Sequence, residues 1–124
     1  MGLTNYGETY MLGLYRDAKT YYLGLFTATP SESDVGTEVS GGAYARQTVT
    51  FNAPVEGDPS YITNAAVVEY PTATAGWGTV VAWGVYDAAT GGNLIWYGSL
   101  SVSKELSAND TILIHAGELK LTME

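Results

Sequence analysis

The stretch from Gly78 to Val102, GTVVAWGVYDAATGGNLIWYGSLSV, constrains the fold more than any other part of the chain. It holds two runs of β-branched and aromatic residues with a two-residue period, separated by the turn-forming cluster from Asp87 to Asn93. In the first run Val81, Trp83 and Val85 alternate with Val80, Ala82, Gly84 and Tyr86. In the second, Leu94, Trp96, Leu100 and Val102 alternate with Ile95, Tyr97, Ser99 and Ser101. This spacing predicts a long antiparallel hairpin, closed where Asp87 bonds the backbone and Gly91–Gly92 supply positive φ.

The remaining segments follow the same period, apart from the start. LTNYGETYMLGLYRDA has helical spacing, since Tyr6, Tyr10 and Leu14 lie four apart with Met11 and Tyr15 beside them. Asn5 and Glu8 resemble a capping box, whereas Gly7 and Gly13 each weaken the helix by about 1 kcal/mol, so it needs something to pack on. YYLGLFT is apolar on both faces, which predicts a central strand with Tyr21, Leu23 and Leu25 on one side and Tyr22, Gly24 and Phe26 on the other. After the polar excursion TPSESDVG, Gly41–Gly42 permit a sharp turn into RQTVTFNA, with Val49 and Phe51 inward and Thr48, Thr50 and Asn52 outward. PVEGDPS is a turn cluster, and YITNAAVVEY is a strand with a bulge near Asn64. A turn at SANDT leads to TILIHA and to a last strand with Leu119, Leu121 and Met123 inward and Lys120, Thr122 and Glu124 outward.

These elements predict a mainly β protein, an antiparallel, jelly-roll-like β-sandwich of about seven or eight strands with a short N-terminal helix. Residues 1–20 are expected to form the helix or arm and 21–124 the sandwich, in a single domain overall. A chain of 124 residues buries roughly two thirds of its unfolded surface, enough for a core without staples. With no cysteine, disulfides, thiolate metal sites and thiol catalysis are excluded together.

Thirteen acidic against five basic residues give a net charge of −8, and the cations Arg16, Lys19, Arg46, Lys104 and Lys120 are scattered. Phosphate backbones and anionic membranes require clustered Lys and Arg, so neither nucleic acid nor membrane is an expected partner. No signal peptide or apolar run near 18 residues is apparent, and synthesis in a cytoplasm is expected.

Candidate chemistry is sparse. Glu32, Asp34 and Glu38 are too few and too irregular for a calcium loop, and a solvated loop explains them better. Glu69 and Asp87 show no sign of the split environments that a pair of glycosidase carboxylates needs. His115 is the single histidine and reads as a surface or interface residue. No nucleophile elbow G-x-S-x-G occurs, and the GGA and TGGN glycines suit turns, with no helix following to form a phosphate cradle. No cofactor and no catalytic residue is expected. Trp77, Trp83, Trp96, Tyr86 and Tyr97 fit core or subunit interface better than a glycan-stacking platform, and strands apolar on both faces favour a buried subunit interface.

YYLGLFTATP, EVSGGAYARQTVTF, ATAGWGTVVAWGVYDAATGGNLIWYGSL and AGELKLTM, in this order behind a short helix, resemble small tailed-bacteriophage virion structural proteins, often labelled tail fibre protein. The resemblance covers nearly the whole chain. It implies a non-enzymatic β-sandwich on the virion surface, similar to a capsid decoration or cement protein or the base of a head fibre. Its implied partners are itself, as a homotrimer, and the major capsid protein or another virion protein. A tail-associated fibre or adaptor and a glycan-binding module are the alternatives. Candidate interface residues are Tyr6, Tyr10 and Leu14 on the helix, Tyr44 and Arg46 as an aromatic beside a guanidinium, and Trp77.

Overall fold

The computed structural model describes residues 2–57 and 59–123, so Asp58 in the PVEGDPS turn and the outward placement expected for Glu124 lie outside the described residues. It is mainly β and antiparallel with one N-terminal helix, as the sequence predicts. Among the described residues the strands number nine, where about seven or eight were expected, because several are only two to four residues long. The chain divides into two compact units, Met1–Thr20 with Val49–Val68 and Ile114–Glu124, and Tyr21–Thr48 with Glu69–Leu113.

In the first unit α1 (Asn5–Ala18) is capped one residue earlier than the Asn5–Glu8 pattern suggests. Thr4 is the N-cap, its Oγ1 accepting from Gly7 N at 3.0 Å. Glu8 is not part of a capping box; it is buried, and its Oε1 accepts from Ser60 Oγ at 2.9 Å on β4 (Ser60–Thr63). Leu12 is fully buried in the next turn of the same helix face. Arg16 Nε donates to Phe51 O at 2.8 Å, and Tyr15 lies against the Phe51 ring. The segment after Val49 runs antiparallel to β4 through single bridges at Phe51–Asn64 and Val55–Tyr61.

YITNAAVVEY proves to be two strands, β4 and β5 (Val68–Glu69), because Asn64 ends the first. Fully buried, Asn64 donates from Nδ2 to Ala66 O and His115 O and accepts Leu119 N on Oδ1. A side chain that substitutes for backbone partners in this way interrupts the ladder it sits in. β9 (Lys120–Met123) then pairs antiparallel with β4, with Leu119 and Leu121 buried and Lys120 and Thr122 exposed. His115 is exposed and contributes only its backbone to this arrangement.

The second unit is built on a five-stranded sheet of order β2-β1-β6-β7, with β3 also on β1. β1 (Tyr21–Ala28) is central, flanked by β2 (Thr37–Glu38) and β3 (Gln47–Val49) on one side and β6 (Gly78–Tyr86) on the other. Both faces of YYLGLFT are also covered, with Tyr21, Leu23 and Leu25 buried on one and Phe26 on the other. β6 and β7 (Leu94–Leu106) form the long hairpin, turning at Asp87–Asn93. Asp87 Oδ1 accepts from Asn93 N at 2.8 Å and so closes the turn. Short β8 (Leu113–Ile114) follows the SANDT turn.

Candidate functional site

Two groups of the sequence-predicted residues come together, one in each unit. In the second unit the register of β1 and β6 sets Gly24 directly opposite Gly84. Two facing glycines leave a trough in the sheet surface, and neighbouring side chains fill it. A Cβ on Gly24 would stand 2.8 Å from Glu38 Oε2 and 3.2 Å from the Tyr44 hydroxyl oxygen, so these groups lie directly on the strand.

Glu38, at the end of β2, is the centre of this cluster. Tyr44 OH donates to its Oε2 at 2.6 Å and accepts Leu25 N at 3.0 Å. Arg46 binds the same carboxylate through two parallel bonds, Nε to Oε2 and Nη2 to Oε1, both 2.9 Å. Its Nη1 donates to Ala88 O at 2.9 Å and Gly91 O at 2.7 Å in the hairpin turn. The guanidinium also lies 3.4 Å over the Tyr86 ring. Only 10% of the Arg46 side chain is exposed. Its charge is therefore spent inside the protein, fastening β2 to the β6–β7 turn.

Trp77 joins the same region. It is buried and donates from Nε1 to Gly42 O at 2.8 Å, holding the glycine turn in which Gly41 and Gly42 both have positive φ. It meets Tyr44 edge-on at 5.4 Å, while Tyr70 stacks on Tyr44 at 6.1 Å and donates its hydroxyl to Leu23 O at 2.6 Å. Burial and the bond to Glu38 hold the Tyr44 hydroxyl far above the ordinary tyrosine range, and burial also raises Tyr70, Tyr86 and Tyr21. The bond to Glu38 raises Arg46 further. Tyr44 is thus held neutral and Arg46 charged.

A groove of about 450 Å³ borders the cluster, between Glu38, Tyr44 and Arg46 and the turn residues Ala89–Gly91. Glu32 and Asp34 do not join Glu38. Asp34 Oδ1 accepts Gly36 N and its backbone pairs with Ser31, which makes the loop a self-contained turn. Among the described residues no group of three or more His, Cys, Asp or Glu is placed to hold a metal, and no helix is long and apolar enough to cross a membrane.

The second group lies on the helix of the first unit. α1 buries Glu8 and Leu12, yet Tyr6 is 73% exposed, Tyr10 56%, Met11 44% and Leu14 51%, with Leu3 just before it at 49%. Tyr6 and Tyr10 stack with centroids 6.4 Å apart. A groove of about 360 Å³ runs between Tyr6, Tyr10, Leu14 and Pro54. The helix is therefore apolar on the face it turns to solvent.

Sequence reasoning found Tyr44 and Arg46 but not their partners Glu38, Tyr70 and Tyr86. One signal for them was present: Gly24, a glycine in the middle of a fully apolar strand, marks a place where another group approaches closely. The tryptophans give no exposed platform, since Trp77 and Trp83 are buried and Trp96 is half-buried. No curated protein matches the chain. The family model described as podophage GP4 fiber I protein gp80 matches residues 3–122, almost the entire length. The chain belongs to that family, and is a small, fibre-like structural protein of the tailed-phage virion.

Proposed function

We propose that the protein is an accessory component of the phage head, a decoration, cement or head-fibre protein that binds the assembled shell as an oligomer and stabilises it. The exposed apolar face of α1 carries this reading. Four large apolar side chains of the helix, Tyr6, Tyr10, Met11 and Leu14, and Leu3 just before it stand between 44% and 73% exposed, while the helix buries only Glu8 and Leu12. Water-facing tyrosines and leucines at helical spacing suit a surface that is covered in the assembled particle. Major capsid protein and further copies of this chain are the proposed partners.

The family description supports a second reading, a fibre or adaptor on the tail, because it names a fibre protein. Quantitative mass spectrometry of purified virions separates the two. Hundreds of copies per particle are expected on the head, and a few tens or fewer would place the protein on the tail. Particles lacking it should also lose DNA at lower temperature if it reinforces the shell.

A further inference from the structure

A strand at the edge of a sheet exposes unpaired N–H and C=O groups, and soluble proteins blunt such edges with lysine, proline, bulges or short length. β7 ends the five-stranded sheet and is 13 residues long. From Leu94 to Ser103 it contains no Asp, Glu, Lys, Arg or Pro, in a chain of net charge −8. The larger interruption lies in its second half, where Leu100–Ser103 bulge opposite Val81, between the pairs Ala82–Ser99 and Val80–Lys104. That leaves a charge-free window from Leu94 to Ser99, interrupted only by an irregularity at Ile95. Within it Ile95 and Tyr97 are 42% and 41% exposed. At its Leu94 end a groove of about 300 Å³ is lined by Glu32 and Asp34.

We propose that this window receives an extended segment of another virion protein as an added antiparallel or parallel strand. The segment is uncharged over about six residues and carries a Lys or Arg at the end that reaches Glu32 and Asp34. Main-chain bonds would supply the affinity, while Ile95 and Tyr97 contact alternate side chains of the guest strand. The guest must be uncharged in the middle, because a charge buried against this edge would find no partner there. Carboxylates at one end of the window select a cation at that end alone. The β7 strand of a second copy does not fit: its first cation after Asn93 is Lys104, beyond the bulge, so β7-to-β7 pairing brings no positive charge to Glu32 and Asp34. The proposal rests on the protein being a virion component and is independent of whether it sits on head or tail.

Phage carrying Ser99→benzoylphenylalanine, irradiated as intact virions and digested for mass spectrometry, provides the test. The expected product joins Ser99 to a segment of a different protein that lacks charge over six residues and has a flanking Lys or Arg. Tyr97→Lys in the same background should lower its yield at least ten-fold, and Glu32→Lys several-fold, with the thermal melt of the free protein unchanged. A cross-link to β7 of another copy, to a segment without a flanking cation, or to nothing while the protein is present on the particle overturns the proposal. A yield indifferent to Tyr97→Lys overturns it as well. Copy number from the same spectra judges the head placement separately: tens of copies with the expected cross-link sink the head reading and leave the edge proposal standing.

Discussion

Arg46 and Glu38 face each other through two parallel N–H···O bonds of 2.9 Å, with 10% and 22% of their side chains exposed. An ion pair shielded this far from water does not behave as a surface salt bridge. It ties the two-residue strand β2 to a seven-residue turn that is otherwise closed by the Asp87–Asn93 bonds at its base.

Arg46→Ala should therefore lower the unfolding free energy by about 2–3 kcal/mol, less than for a fully buried pair because Glu38 is partly wet. Arg46→Lys should recover only a small part of that, since an ammonium cannot bond both carboxylate oxygens and two carbonyls at once. Urea unfolding gives the free energies. Faster amide exchange confined to residues 87–93 at low urea would show the turn coming loose first.

Gly24→Ala should cost about 1–3 kcal/mol, because the new methyl would stand 2.8 Å from Glu38 Oε2 and the strand cannot move away from its neighbours β2 and β6. Gly41→Ala, at a site with open space around it but a φ of 76°, should cost only about 1 kcal/mol from backbone strain. Thermal melts that rank the two in the opposite order would show that the trough is not filled as described.

Asn64→Ala removes the partner of Leu119 N, Ala66 O and His115 O from a site with no exposure, which should cost about 3 kcal/mol. Asn64→Asp should be nearly as damaging, because a carboxylate cannot donate to the two carbonyls. Chemical denaturation of both variants checks this.

On the helix, Tyr6→Ser, Tyr10→Ser and Leu14→Ser should each change stability by no more than about 0.5 kcal/mol, while Leu12→Ala should cost about 2–5 kcal/mol. If the exposed face is the contact surface, the three serine variants fold and bind stripped particles poorly. Wild-type binding by all three would remove the face from the assembly. Deleting the whole helix is a poorer experiment, since it also removes buried Leu12 and the Glu8–Ser60 bond.

Tyr44, Tyr70, Tyr86 and Tyr21 all have hydroxyls raised above their ordinary value of 10.0 in the folded protein. A raised folded value means that the unfolded chain loses these protons first. Stability from these groups is accordingly intact below about pH 10 and falls as the pH rises beyond it. Urea midpoints measured between pH 8 and 11.5 should be flat and then decline, and Tyr44→Phe should soften the decline. A midpoint that is independent of pH up to 11.5 would contradict the burial of these hydroxyls.

Much of the fold was legible in the residues. The alternation in Gly78–Val102 and the turn formers at Asp87–Asn93 specify a hairpin whatever surrounds them, because period and turn chemistry are local. The two apolar faces of YYLGLFT announced a strand with neighbours on both sides, which β1 has. The helix was visible from its spacing, though not its cap, as Thr4 and Asn5 are both good caps and only the inward turn of Glu8 toward Ser60 decides between them. The sequence predicts a bulge rather than a break at Asn64 because two of its three backbone partners, His115 and Leu119, are more than fifty residues away.

The sequence by itself determined a mainly β chain with a leading helix, no cysteine chemistry and no cationic surface, since composition, period and charge act over a few residues at a time. Only the tertiary structure decided what Arg46 does. Eight residues separate it from Glu38 and more than forty from the turn carbonyls it binds. Its placement against Tyr86 depends on Gly24 meeting Gly84 across the sheet. Contacts of that range form only when strands pair in register, so the guanidinium that reads as a candidate interface residue in the sequence is, in the fold, a half-buried fastener between β2 and the β6–β7 turn.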